Sequence, residues 1–171
     1  AFVASFSVDS RFGLDQGFDL YDDNFLPGLP MKPVNSERPA DAVAALFAAW
    51  LDGRGGEPFF AWVPFFDPHL PYRPPAPYNR EFAADPYDGE VAFMDWAVGV
   101  VVDKLREKNL LDRTLVVLAG DHGEAFGEKV ERGHGVFLYD GTLKVPLILY
   151  APGRLPAGRS VPSRVRLTDI V

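Results

Sequence analysis

The chain has 171 residues, 47% of them hydrophobic, with 14 Phe, 6 Tyr and 3 Trp, which is enough apolar side chain to bury a sizeable core and excludes a disordered polymer. A net charge of −7 with no basic run argues against a phosphate backbone or an anionic membrane surface as the main partner. The absence of cysteine removes disulfides, thiolate metal sites and a cysteine nucleophile from these residues.

In chain order, Ala1 to Val8 (AFVASFSV) alternates small and large apolar residues and predicts an opening strand, bounded by Asp9-Ser10. Arg11 to Asp23 is a glycine-punctuated loop whose acids are read as solvated carboxylates. Phe25 to Asn35 carries Pro27, Gly28, Pro30 and Pro33 and predicts an irregular connection. Ser36 then offers an N-cap with Pro39 in the first turn. Val43, Leu46, Phe47, Trp50 and Leu51 recur at helical spacing up to Gly53, predicting an amphipathic helix with an aromatic core stripe.

Pro58 to Phe66 (PFFAWVPFF) is a continuous aromatic and β-branched run, which predicts a strand covered on both faces, with Pro64 at an edge or bulge. It leads into Asp67-Pro68-His69-Leu70-Pro71-Tyr72-Arg73-Pro74-Pro75, a proline-stiffened loop suited to holding an imidazole. From Asp88 to about Lys108 a second helix is predicted. Val91, Met94, Val98, Val101, Val102 and Leu105 lie on its apolar face, with Glu90 among the charged residues placed largely elsewhere. Thr114 to Ala119 predicts a central buried strand and Val145 to Tyr150 another. The stretch between them, Gly120 to Lys144, is long for a connection in a compact domain and is therefore expected to be functional.

Strands alternating with long helices predict one α/β domain over residues 1–171, with a mostly parallel sheet and helices on both faces. Ligands of such sheets gather at the carboxyl ends of strands. No apolar run reaches the roughly 18 residues of a bilayer span. The chain starts at Ala1 inside one apolar pattern and stops at Val171 inside another, so it is expected to be part of a longer protein.

The three histidines, His69, His122 and His134, all follow strands or lie in the long loop, and are expected to converge at one end of the sheet. Asp121 and His122 would point to opposite faces of a continuing strand, but a turn through Gly123 lets both face one cation. Oxygen plus imidazole ligation suits Ca²⁺, Mg²⁺, Mn²⁺ or Zn²⁺ without choosing among them. Such an ion lowers the pKa of a bound hydroxyl and neutralises charge on an oxyanion. His69 and His134 can then donate hydrogen bonds or a proton to a tetrahedral anion. Phosphoryl or sulfuryl ester cleavage is the chemistry that uses this set.

Four stretches carry a family resemblance: RFGLDQGFDLYDD, PFFAWVPFFDPHLPYRPP, YDGEVAFMDWAVGVVVDKLREKNLLDRTLVVLAGDHGEAFGE and GHGVFLYDGTLKVPLILYAPGRLPAG. In that order they resemble the interior of a bacterial sulfatase of the alkaline-phosphatase-like superfamily. The resemblance implies that Asp121 and His122 are metal ligands, with Ca²⁺ the first expectation. It implies that His69 contacts the sulfate or phosphate ester group and that His134 stands where such enzymes place a substrate-contacting Lys or His. It also implies an aspartate pair and a formylglycine nucleophile upstream of Ala1, a small-molecule or glycan sulfate ester as substrate, and a periplasmic or extracellular location.

The chain departs from relatives at Val63-Pro64-Phe65-Phe66-Asp67-Pro68-His69, where V-H-x-x-D-P-H is frequent, at Gly127 to Glu131 in place of G-E-H-G-E, and at Gly120, where Ser or Thr often precedes Asp-His-Gly. Two other readings keep the same fold: a phosphodiesterase, phosphonate hydrolase or phosphoethanolamine-type transferase, and a non-catalytic binding module.

Overall fold

Helix α1, Ala40–Asp52, forms where the sequence concentrates alanine and spaces its large apolar residues by three and four, and it ends at Gly53. Its buried residues, Ala40, Val43, Ala44, Phe47 and Leu51, are the inward face of the predicted stripe. The start differs from expectation. Pro39, not Ser36, occupies the cap position and offers no side-chain bond; the orphan N–H of Ala40 instead donates to the carboxylate of Asp67 at 3.0 Å. A cap supplied from 27 residues away leaves no local signal.

The computed structural model describes residues 1–25, 33 and 36–170, so most of the irregular connection expected over residues 25–35 lies outside the described residues. Two compact units are present, residues 1–105 and 106–171.

In the first unit, α1 packs on helix α3, Pro86–Glu107, through small residues: Ala40 and Ala44 meet Phe93 and Ala97, flanked by Phe65, Tyr78, Val100 and Val101. The short helix α2, Tyr78–Glu81, precedes α3. The buried stripe of α3 is Gly89, Glu90, Phe93, Ala97 and Leu105, rotated from the predicted valine face, and Glu90 is buried rather than solvated.

The predicted strands Ala1–Val8 and Pro58–Phe66 form no regular ladder. They do lie side by side: the Phe2 N–H donates to the Trp62 carbonyl at 3.1 Å, and Ala1 to Val3 also pair with Asp22. The first segment coils into a 3₁₀ turn at Phe6–Val8, and Pro58 and Pro64 remove two donors from the second. Nor is the second run covered on both faces, since Phe60 is largely exposed. Arg38, 7% exposed, ties the segment down. Its guanidinium reaches the Asp22 carboxylate at 2.7 Å and the Val3 carbonyl at 3.2 Å.

In the second unit, β1, Val116–Ala119, pairs with β4, Leu147–Tyr150, in register Val116↔Tyr150 to Ala119↔Leu147. The pairing is antiparallel, whereas a mostly parallel sheet was expected. A parallel crossover needs a dozen or more residues, normally a long helix. The connection here holds only the hairpin β2 (Ala125–Phe126) and β3 (Arg132–Gly133) and the four-residue helix α4 (Asp140–Leu143). Nor is β1 a fully buried central strand. Among the described residues it has one partner and alternates half-buried with exposed positions. Asn109, in the left-handed region at φ +56°, closes α3 where the sequence predicted a stop.

Candidate functional site

Because β1 ends at Ala119 opposite the start of β4, the whole connection from Gly120 lies at one end of this strand pair. Gly120 continues the pairing with an N–H bond to the Pro146 carbonyl at 3.2 Å, and the chain then turns. Gly123 makes that turn against α4: its N–H donates to the Thr142 carbonyl at 2.8 Å. A Cβ at Gly123 would sit 2.1 Å from the Gly141 carbonyl oxygen, so only glycine fits.

The turn places Asp121 and His122 side by side. Asp121 and His122 are both exposed, and Asp121 Oδ2 lies 3.7 Å from His122 Nε2. His122 Nδ1 is 3.0 Å from the Gly123 carbonyl. A carbonyl only accepts, so the proton of a neutral ring sits on Nδ1 and the lone pair on Nε2, beside the carboxylate. This is the tautomer that binds a cation, with the main-chain carbonyl in the outer orienting role. Two neighbouring ligands of one ion stand roughly 3 to 4 Å apart at ordinary coordination distances, so a separation of 3.7 Å is compatible with a shared divalent cation. No group of three or more metal-ligating side chains occurs among the described residues, so further ligands would have to come from elsewhere.

His134 joins them. Its ring stacks on that of His122 at 3.9 Å between centroids and 27° between planes, and its Nδ1 faces Glu124 Oε1 at 3.3 Å. The Glu124 side chain is only 6% exposed. Glu124 escaped the sequence reading, although its place three residues after Asp121, before a half-buried hairpin, was the available signal. A second buried acid, Glu131, orders the far side of the loop by accepting from the N–H groups of Val136 and Phe137 at 3.0 and 3.2 Å. The long connection is therefore held by carboxylate-to-backbone bonds as well as by packing.

His69 belongs to the first unit. Its Nδ1 lies 2.7 Å from the Leu70 carbonyl, again placing the neutral ring's proton on Nδ1, and the ring stacks on Phe66 at 4.1 Å. Asp67 and Glu90, neither of them among the expected site residues, fix this loop. Glu90 accepts from the N–H groups of His69 and Arg73. Burial, and secondarily the nearby Glu90 carboxylate, push the Asp67 carboxyl up to about 6, against the opposing pull of its backbone hydrogen bonds. Burial likewise raises the Glu90 carboxyl.

A folded-state pKa above the ordinary 3.8 favours the protonated form, so the stability contributed by Asp67 is complete below about pH 3.8 and is lost as pH rises through about 6. The loss is on the order of 1 kcal/mol after solvent screening is allowed for. Asp67→Asn, which keeps an acceptor for Ala40, is expected to reduce the stability difference between pH 4 and pH 7 by that amount. Urea unfolding at the two pH values measures it, and an unchanged difference would contradict the assignment.

Among the described residues no helix is long and apolar enough to cross a membrane. The family model for sulfatases matches residues 4–171. Mouse (Mus musculus) steryl-sulfatase is 31% identical over 139 residues, covering 74% of this chain and 22% of that protein. Human (Homo sapiens) arylsulfatase H is 27% identical over 151 residues, covering 81% of this chain and 27% of that protein. The crystal structure of Ps i-CgsB in complex with k-i-k-neocarrahexaose aligns with a TM-score of 0.60 and 24% identity over 75% of this chain and 31% of that chain, a likeness that speaks for the α/β fold alone. The chain thus spans about a quarter of the length of these curated relatives. With the family match running from residue 4 through the Asp121–His122 turn to residue 171, this chain belongs to the sulfatase family.

Proposed function

We propose that this chain is part of a single metal-dependent catalytic domain that hydrolyses sulfate esters, small-molecule or glycan. The observation that supports this best is the strand-end pair: an exposed carboxylate beside an imidazole whose lone-pair nitrogen is selected by a main-chain carbonyl. Asp121 and His122 are read as two ligands of a divalent cation, Ca²⁺ first, with Mg²⁺, Mn²⁺ or Zn²⁺ as alternatives. A cation bound there would neutralise negative charge on the ester oxygens.

In this reading His134 and His69 contact the sulfuryl group through Nε2. Glu124 holds the His134 ring, while Leu70 and Phe66 hold that of His69. The formylglycine nucleophile and the remaining ligands are assigned to segments outside these 171 residues, as is the larger, mostly parallel sheet in which the β1–β4 pair would sit. The site then works by orientation and charge: with the Nδ1–H of each ring held by its own acceptor, the two imidazoles donate from Nε2 in their protonated form, to a tetrahedral anion whose charge grows in the transition state.

Turnover of p-nitrophenyl sulfate by the full-length protein, abolished by EDTA and restored by one divalent cation, tests the reading. Turnover of a phosphodiester with none of the sulfate would move the protein to the phosphoryl-transfer branch, and the absence of both with retained metal would favour the binding module. For the 171 residues alone, with two identifiable ligands, we expect weak metal binding and no significant hydrolysis. Tight stoichiometric Ca²⁺ binding by calorimetry would contradict this.

A further inference from the structure

Glu90 is a buried acid on a helix that periodicity would have it leave. It is 5% exposed, and burial opposes its ionisation. A buried carboxylate persists where its oxygens satisfy donors that would otherwise be orphaned. Here the donors belong to the main chain of one loop, and each oxygen has its own: Oε2 accepts from the His69 N–H at 3.1 Å and Oε1 from the Arg73 N–H. The helix comes close enough to do this because the preceding residue has no side chain. A Cβ at Gly89 would meet Pro74 Cγ at 2.8 Å.

We propose that Glu90 is the positioning residue of the candidate substrate-contacting imidazole, clamping the loop on both sides of His69 with its two carboxylate oxygens. The orientation of the imidazole is tied to the main chain of its own loop. Its Nδ1–H is tied to the carbonyl of the next residue, Leu70, and its face rests on Phe66. Where the main chain of residues 69–73 goes, Nε2 goes. Only a carboxylate meets both N–H groups as an acceptor. Glutamine has the same shape but one acceptor oxygen, so its amide NH₂ would oppose one of the two donors. Glu90 touches no substrate and acts through His69. This inference rests on the reading of His69 as a substrate contact.

The test is a double-mutant cycle in the full-length protein with p-nitrophenyl sulfate, joined to amide hydrogen exchange by NMR on the 171-residue chain. Glu90→Gln is expected to lower kcat about tenfold or more with KM changed by less than about threefold. It should be silent when His69 is already alanine. In the chain, the same variant should speed exchange of the His69 or Arg73 amide by about tenfold or more. Additive losses in the double variant, or unchanged exchange at both amides, would overturn the proposal. Wild-type turnover by His69→Ala would instead remove the role of His69 itself, leaving faster exchange in Glu90→Gln as the mark of a clamp without a catalytic purpose. That outcome overturns the positioning role as well, and is told apart from failure of the clamp by the exchange result.

Discussion

Replacing Asp121 or His122 by alanine in the full-length protein is expected to lower kcat for a sulfate ester by roughly three orders of magnitude, with loss of bound divalent metal. Each variant removes one of the two proposed ligand atoms that stand side by side at the end of β1, Asp121 Oδ2 and His122 Nε2. Neither side chain is buried, so the fold should tolerate both changes, and thermal unfolding should shift little. That separation matters: an exposed pair whose loss destroys turnover while sparing stability is a functional pair. Steady-state kinetics together with metal analysis check it, and near-normal turnover in both variants would remove the metal assignment.

Gly123→Ala should do the opposite, acting on the fold first. The new methyl would lie 2.1 Å from the Gly141 carbonyl oxygen and 3.3 Å from Thr142 Cα. These are main-chain atoms that cannot rotate away, so either α4 or the Asp121–Glu124 turn must move. We expect a destabilisation of roughly 3 kcal/mol or more, at the upper end of overpacking effects, and a His122–His134 stack that no longer forms. Gly120→Ala is the control. Its Cβ would meet the Val145 side chain at 3.3 Å, a contact that small adjustments absorb, at a cost of about 1 kcal/mol or less. Thermal denaturation of the two variants side by side decides the matter; equal midpoints would mean that the turn is not constrained as described.

The contrast between these two glycines illustrates what could be read from residues alone. An apolar run stopping at Gly-Asp-His-Gly announces a strand end with polar groups, and α1 follows from the spacing of Val43, Phe47 and Leu51. Both signals are local. What escaped was contributed from a distance in the chain. Asp67 caps α1, and Glu90 and Glu124 hold histidine-bearing segments. Glu90, which looks solvated by pattern, and Asp67 and Glu124, to which the pattern gives no role, are each held by N–H groups that only the fold brings near.

The sense of the β1–β4 pair escaped for a related reason. Periodicity detects that Thr114–Ala119 and Val145–Tyr150 are extended, but their relative direction depends on what the connection can span. The apolar runs at Ala1 and Pro58 show the limit from the other side. Extended composition without regular partners yields neighbouring segments joined at Phe2 and Trp62 rather than a ladder.

The antiparallel pairing of β1 with β4 bears on how the Asp121 cluster comes into being. Asp121, His122, Glu124 and His134 all lie in the single connection between two strands that pair with each other. Bringing them together requires closing only the single connection between β1 and β4, and loop-closure entropy grows only slowly with length. Short-range closure of this kind is kinetically accessible early, because few distant contacts must form first. The polar cluster can thus assemble with its own hairpin instead of waiting for the rest of the chain.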